Sequence, residues 1–530
     1  MLQTTRSYAG MVTAPHHLAA EAGLEVLRDG GNAIEAMIAA AATIAVIYPH
    51  MNGLGGDGFW LIARRGGPVT GIQACGGAAG LATRDWYRAQ GHDAIPSRGP
   101  LAALTVAGTV DGWGLAQRLS AERFGGRLPL ARLLESAIRH ARDGVAVTGT
   151  LAANSKAKLP ELAEVPGFAE TYLNAGRPRD PGSRLLQPRV AATLEHLVSA
   201  GLDDFYRGDL ARSLAKELEH AGSPLRLADL EAYRAREVAP LSVEVAGHRV
   251  FNMPPPTQGL ASLLLLALYE PLKAQKADGF DFVHRLVECT KAAFVVRDRH
   301  VTDPAYMERA AGDFLTPESI ATLGEGISLE QASPWPRPSQ PGDTVWLGAA
   351  DADGLCVSFI QSVYWEFGSG VVLPQSGITW QNRGTSFSLD PAQPNPLEPG
   401  RLPFHTIQPA MAQLGDGRLM AYGTMGGEGQ PQTQAMVFTR HVLHGMDLQA
   451  AVTAPRWLLG RTWGAATTNL KVEGNLGAEV IGRLSDAGHD VEVVAPFSEM
   501  MGHAGAVVSH PDGLLEGASD PRSDGKAAAR

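Results

Sequence analysis

The sequence predicts an α+β protein built from two consecutive segments. Three observations carry that expectation. Helical periodicity dominates residues 108–235. A stretch rich in Pro, Ser and Gly, at about 325–343, reads as an exposed linker. Short strand-like runs begin directly after it: residues 345–350 and 355–363 flank Asp351-Ala-Asp353-Gly354, a hairpin signal. At 530 residues the chain is long enough for several domains, or for one large layered unit drawn from both halves.

Taken in chain order, residues 16–28 place Leu18, Ala19, Ala22, Leu24, Val26 and Leu27 on one side and stop at Asp29-Gly30-Gly31, as a helix does. Asn32 is placed to cap a second helix, 33–48, which is apolar nearly all round and so expected to be buried. Asn52-Gly53-Leu-Gly-Gly-Asp57-Gly58 then leads into a strand at 59–63. Residues 241–251 read as one strand, followed by Met253-Pro-Pro-Pro256-Thr-Gln258-Gly259 and an apolar helix at 260–272. Beyond the linker, further strands are expected at 370–373, 377–381 and 418–422, and helices at 431–444 and 448–454. Glycine-rich turns are expected at 367–370, 423–427 and 516–522.

Composition excludes several functions. Hydrophobic residues at 45% and charged residues at 19% are ordinary for a soluble globular chain. A net charge of −10 gives no basic footprint, so no nucleic-acid partner is expected. The most apolar run, 36–48, is too short to span a bilayer, and the N-terminus has no secretory core. The expectation is a cytoplasmic protein without a membrane partner. Cys75, Cys289 and Cys356 are too few and scattered for a disulfide framework or a zinc site. His16, His17, His50, His405 and His441 lack metal-binding spacing, so neither metal nor cofactor is expected.

Residues 53–58 fit G-x-G-x-x-G literally, which opens the alternative of a dinucleotide-binding oxidoreductase. That site needs a strand before it and a helix after it, the reverse of the order here, so a tight glycine turn is preferred. Asp351-Ala-Asp353-Gly354 lacks the closing glutamate of a calcium loop, and no G-x-S-x-G elbow occurs. Gly423-Thr-Met-Gly426-Gly427 follows a strand and opens toward a helix, a geometry in which backbone amides can face a developing negative charge. Thr344 follows Pro341-Gly342-Asp343. If the chain were cut before it, one residue would hold both a hydroxyl nucleophile and an α-amine base.

In order along the chain, Leu27-Arg-Asp-Gly-Gly-Asn-Ala33, Gly53-Leu-Gly-Gly-Asp-Gly58, Ala82-Thr-Arg-Asp85, Ala107-Gly-Thr-Val-Asp-Gly112, Met253-Pro-Pro-Pro256, Asp343-Thr344, Gly426-Gly427, Ala454-Pro-Arg456 and Gly517-Ala-Ser-Asp-Pro-Arg522 resemble the γ-glutamyltransferase family of N-terminal-nucleophile (Ntn) hydrolases. The resemblance spans nearly the whole chain. It implies a four-layer αββα sandwich of two intertwined segments, 1–343 and 344–530. It implies self-cleavage between Asp343 and Thr344, with the two fragments remaining partners in a heterodimer, and catalysis by Thr344 with Gly426 and Gly427 as the oxyanion hole.

The recognition residues depart from the family pattern. Its α-carboxylate arginine corresponds to Cys75 or Gly76, and its asparagine after the nucleophile is Tyr364. Its glutamine and ammonium-binding aspartate become Arg383 and Ser386, and its paired serines become His405 and Thr406. A buried ammonium without a counter-charge is costly, whereas Arg383 offers a fork for a carboxylate. The expected substrate is a small carboxylate-bearing amide of oxamate type, contacted by Ser362, Tyr364, Arg383, His405 and Thr406. Larger glutaryl- or cephalosporin-type amides, a γ-glutamyl enzyme with an atypical shell and an inactive binding protein are the alternatives. A plain salt bridge from Arg383 to Glu366 or Asp390 is the competing account of that arginine.

Overall fold

A computed structural model describes residues 2–335, 343–460 and 467–530. The linker residues 336–342, including Pro341 and Gly342, lie outside the described residues.

Two seven-stranded antiparallel sheets form the centre. The first runs Lys526–Ala529, Gly10–Ala14, Asp343–Asp351, Leu355–Tyr364, Asp57–Arg64, Thr70–Ala74 and Arg236–Val238. The second runs Thr5–Ser7, Leu515–Ser519, Gly505–Ser509, Leu419–Gly423, Ala410–Gln413, His248–Asn252 and Leu241–Val245. Phe59, Leu61 and Trp346 of the first sheet pack against Met411, Leu419 and Val507 of the second as one apolar layer. Helices cover both outer faces: His17–Arg28 and Ala33–Ile47 on the first, Gly259–Tyr269 and Phe280–His300 on the second. This is the αββα sandwich, and residues from either side of position 344 interleave in both sheets.

Local chemistry accounts for the packing. The Asn32 side chain accepts from the amides of Ile34 and Glu35, and Glu35 accepts from the Asn32 amide at 2.9 Å. This capping box starts the helix expected there, a cap of about 1 kcal/mol. Every residue from Ala33 to Ile47 is buried, which an apolar circumference requires.

Several expectations need correction. Residues 241–251 form two strands, because Ala246 and Gly247 both take positive φ (50° and 78°) and close a two-residue hairpin. Residues 370–373 and 377–381 share only a bridge between Val372 and Thr379. The expected turn at 516–522 is largely the Leu515–Ser519 strand, turning only after Ser519. The helix at 431–444 runs as Gln430–Phe438 and then widens over Thr439–Leu443. Among the described residues, no helix is long and apolar enough to cross a membrane.

Candidate active site

Thr344 is fully buried near the start of the Asp343–Asp351 strand. Asp343 stands opposite Tyr364 and Val345 opposite Gln361, so the register slips by one residue at Thr344. A bulge of this kind re-aims the backbone locally. Tyr364 carries the matching distortion, with φ at 83°. Two residues on, Trp346 packs so closely on Gly423 that a Cβ there would lie 2.2 Å from the indole. The Trp346 Nε1 donates to Ser358 Oγ, which contacts the Tyr422 carbonyl. The turn holding Gly426 and Gly427 is thereby tied to the strand holding Thr344.

Gly426 has φ 117° and Gly427 φ 53°, conformations open to glycine. Gln258 Nε2 donates to the Gly427 carbonyl (2.8 Å) and to the Thr406 carbonyl (2.5 Å). Its Oε1 accepts from Arg297, which pairs with Glu428 at 3.4 Å. From the other side, Gly502 lies beside Gly426 and approaches the Met425 carbonyl and Thr424 Oγ1 too closely to carry a side chain. Arg456 holds the carbonyls of Met501 and Gly502 at 3.1 and 2.8 Å and pairs with Asp520 at 2.6 Å.

Arg383 is completely buried. Its guanidinium carbon lies 3.8 Å from the centroid of the Tyr364 ring, and Nη1 donates to Thr406 Oγ1 at 3.2 Å. Nε and Nη2, which share one edge of the fork, have no hydrogen-bond partner among the described residues. The competing salt bridges do not form: Glu366 pairs with Lys158 (3.6 Å) and Arg98 (3.7 Å), and exposed Asp390 meets Gln393. Burial pulls the guanidinium down to about 10, which leaves it cationic at neutral pH.

His405 is buried beside Arg383, its Nε2 3.8 Å from Asp57 Oδ2. Burial, then the Arg383 charge, hold the imidazole well below its usual range, so it is neutral. Asp57 Oδ1 accepts from the Gly108 amide and from Gln381 Nε2. Burial pushes its carboxyl up to about 7, against the opposing pull of Arg383. Ser362 pairs with Asp57 in register, and its hydroxyl accepts from the Tyr364 amide at 2.8 Å. The buried hydroxyl of Ser386 has no hydrogen-bond partner among the described residues.

The structure therefore gathers Tyr364, Arg383, His405 and Thr406, with Ser362 beneath Tyr364. Sequence reasoning missed Asp57, Gln258 and Arg297. Asp57 and Gln258 lay inside quoted motifs but were hidden by the glycines and prolines around them. Residues 53–58 hold no nucleotide cradle: a Cβ on Gly55 or Gly56 would lie 2.3 Å from the carbonyls of Thr379 and Ser362. Likewise a Cβ on Gly76 would lie 2.3 Å from the Val106 carbonyl, so of the two candidates only Cys75 can present a side chain. His284, Glu288 and His489 approach within metal-binding range. However, Lys291 and the Ser333 amide occupy the Glu288 oxygens, and the two imidazoles bond each other.

A family model described as gamma-glutamyltranspeptidase matches residues 19–530. The chain is 56% identical to an oxamate amidohydrolase proenzyme from Klebsiella pneumoniae subsp. pneumoniae, covering 98% of each. It is 40% identical to a glutathione hydrolase-like proenzyme, YwrD, from Bacillus subtilis, again covering 98% of each. A crystal structure of a cephalosporin acylase from Bacillus halodurans superposes with a TM-score of 0.92 at 34% identity, over 100% of this chain and 97% of that one.

Proposed function

The chain belongs to the gamma-glutamyltranspeptidase family of amide-cleaving hydrolases, and on that premise we propose that it is a self-processing amidohydrolase for a small carboxylate-bearing amide of oxamate type. The Thr344 hydroxyl attacks the Asp343 carbonyl, the C–N bond breaks, and an ester links the two segments. Water hydrolyses the ester and leaves Thr344 with a free α-amine. The segments 1–343 and 344–530 stay together because their strands interleave in both sheets.

In turnover the α-amine takes the Thr344 hydroxyl proton as the oxygen attacks the amide carbonyl. Amides of the Gly426–Gly427 turn stabilise the tetrahedral oxyanion. The proton passes to the leaving nitrogen, ammonia departs, and water releases the acid from the acyl-Thr344 ester.

The observation that carries the substrate class is the uncommitted Nε–Nη2 edge of Arg383. Two parallel N–H groups on one edge match the two oxygens of a carboxylate. Tyr364, under that guanidinium, stands opposite Asp343 in the strand register, so the anchor and the nucleophile are close and the acyl group is short. Ser386 offers no charge to an α-ammonium, which disfavours a γ-glutamyl substrate. The likeness to a cephalosporin acylase supports a second reading, a larger carboxylate-bearing acyl amide.

The test is ammonia release from oxamate measured beside cleavage of a γ-glutamyl anilide and a glutaryl amide. Turnover of the γ-glutamyl anilide without turnover of oxamate overturns the reading, and preference for the glutaryl amide selects the second.

A further inference from the structure

Around Arg383 the buried polar atoms divide by kind. Arg383, Asp57, Gln381 and His405 are all fully buried. On Arg383, Nε and Nη2 are donors without a hydrogen-bond partner among the described residues. Asp57 Oδ2, Gln381 Oε1 and both ring nitrogens of His405 also lack one. Asp57 Oδ2 keeps a lone pair whether or not its carboxyl is protonated, and the neutral imidazole keeps one acceptor nitrogen. A carboxylate answers the donors but has no hydrogen to give the acceptors. In a substrate of oxamate type, the amide nitrogen is the one group that has.

These acceptors lie together, beside the carboxylate anchor. His405 Nε2 is 3.8 Å from Asp57 Oδ2, too far for a direct hydrogen bond and close enough for one small group to touch both. Gln381 Nε2 bonds Asp57 Oδ1 at 3.2 Å, and Thr406, next to His405, accepts from Arg383 at 3.2 Å. Across the sheet, Asp57 stands opposite Ser362, and Thr344 lies in the bulge on the far side of Ser362. Two strand spacings therefore separate the Thr344 and Asp57 main chains, about 10 Å, a span that two side chains and a short acyl amide fill. The walls are tight. The Phe59 ring packs edge-on against His405, centroids 5.1 Å apart. Behind Asp57, a Cβ on Gly108 would lie 2.3 Å from the Ala74 carbonyl.

We propose that Asp57 and His405 form a closed subsite for the amide nitrogen, fitted to an unsubstituted NH2, which restricts the enzyme to primary amides and its acyl group to water. The inference rests on the function proposed above. A substituent on the nitrogen would press on fully buried side chains backed by main chain, and overpacking of that kind is costly. The same subsite governs the second half of the reaction. When the C–N bond breaks, the proton from Thr344 leaves with the nitrogen as ammonia, and the acyl group stays as an ester on Thr344 Oγ1. An amine that attacks this ester takes the place from which ammonia left. A site closed to N-substituents therefore refuses amino-acid and peptide amines, and water completes turnover to the free acid.

The experiment compares wild type with His405→Ser. Hydrolysis is followed for oxamate and N-methyloxamate, and the acyl-enzyme formed from oxamate is challenged with isotope-labelled ammonia or with methylamine. In wild type, kcat/KM for N-methyloxamate is expected to be about 10- to 100-fold below that for oxamate. Labelled ammonia is expected to reappear in oxamate, and methylamine to give no N-methyloxamate. In His405→Ser, which opens the wall, the gap between the two amides is expected to narrow and the methylamine product to form. Equal kcat/KM for the two amides in wild type, or equal yields from the two amines, overturns the subsite, whatever the folding of the variant. A wild type that releases no ammonia from oxamate overturns the proposed function instead, so the two failures are distinct.

Discussion

The Arg383 guanidinium carbon sits over the Tyr364 ring, 3.8 Å from its centroid, with both side chains fully buried. This contact and the bond to Thr406 hold the fork in place, and cation–π attraction offsets part of the cost of burying the charge. On the proposed function, a fork held this way would meet a carboxylate without further rearrangement.

Replacing the fork with a point charge tests that anchor. In Arg383→Lys the cation is retained but the paired donors are lost. The expected outcome is a rise in KM for oxamate of about ten- to a hundredfold, corresponding to about 1.5–3 kcal/mol for a charged hydrogen bond. A KM within twofold of wild type would show that the carboxylate binds elsewhere.

Thr344→Ala removes the hydroxyl from the bulge. Wild type is expected to give two bands on denaturing electrophoresis, one beginning at Met1 and one at Thr344. The variant is expected to give a single 56.0 kDa chain with no amidase activity. Normal cleavage in the variant would assign the nucleophile to another residue.

Legibility in the sequence followed physical scale. Helices with a clear apolar face or a cap, such as Ala33–Ile47 behind Asn32, were readable because their signals are local. The strands Gly10–Ala14, Gly505–Ser509 and Lys526–Ala529 were missed, since short runs of mostly small and apolar residues lack an alternating pattern. Arg383 was identifiable as a departure from a family pattern, but its free edge is a property of the surrounding contacts. Asp57 was passed over because its consequence comes from burial beside Arg383, and burial follows only from the tertiary fold.

Asp57 makes a pH prediction. Its carboxyl titrates near 7 when folded and near 3.8 when exposed. Between those values the native state holds a proton that the unfolded chain has lost, so this group's contribution is complete below 3.8 and declines as pH rises to 7. Above 7 its negative charge also lies beside the carboxylate site. Stability is expected to fall from pH 4 to pH 7, and KM for oxamate to rise above pH 7. Both trends should flatten in Asp57→Asn. Identical pH profiles in the two proteins would place the titration on another group.

Gly426 adopts φ 117°, a region in which an alanine is strained. Gly426→Ala should therefore tilt the amides of the turn away from the oxyanion. A fall in kcat of about 10²- to 10³-fold is expected, the cost of one misplaced donor, with little change in KM. A parallel fall confined to KM would instead place this turn in ground-state binding.

The Arg456–Asp520 pair braces the same turn from behind. Both side chains are fully buried, and Asp520 also meets Arg522, which pairs with Glu473. Burial raises the Asp520 carboxyl, but Arg456 and Arg522 outweigh it and hold it below its usual range. Removing one member leaves an uncompensated buried charge, so Asp520→Asn should cost about 3–5 kcal/mol, read as a lowered denaturant midpoint. Arg456 also fixes the Gly502 carbonyl, and Gly502 abuts Gly426. A purely structural role would leave kcat unchanged in protein that is still folded at low temperature. A positioning role predicts that kcat falls there while KM is kept, and that Arg456→Lys, which preserves the charge but not the two carbonyl contacts, recovers stability more than kcat. Equal recovery of both would remove the link between this pair and the oxyanion turn.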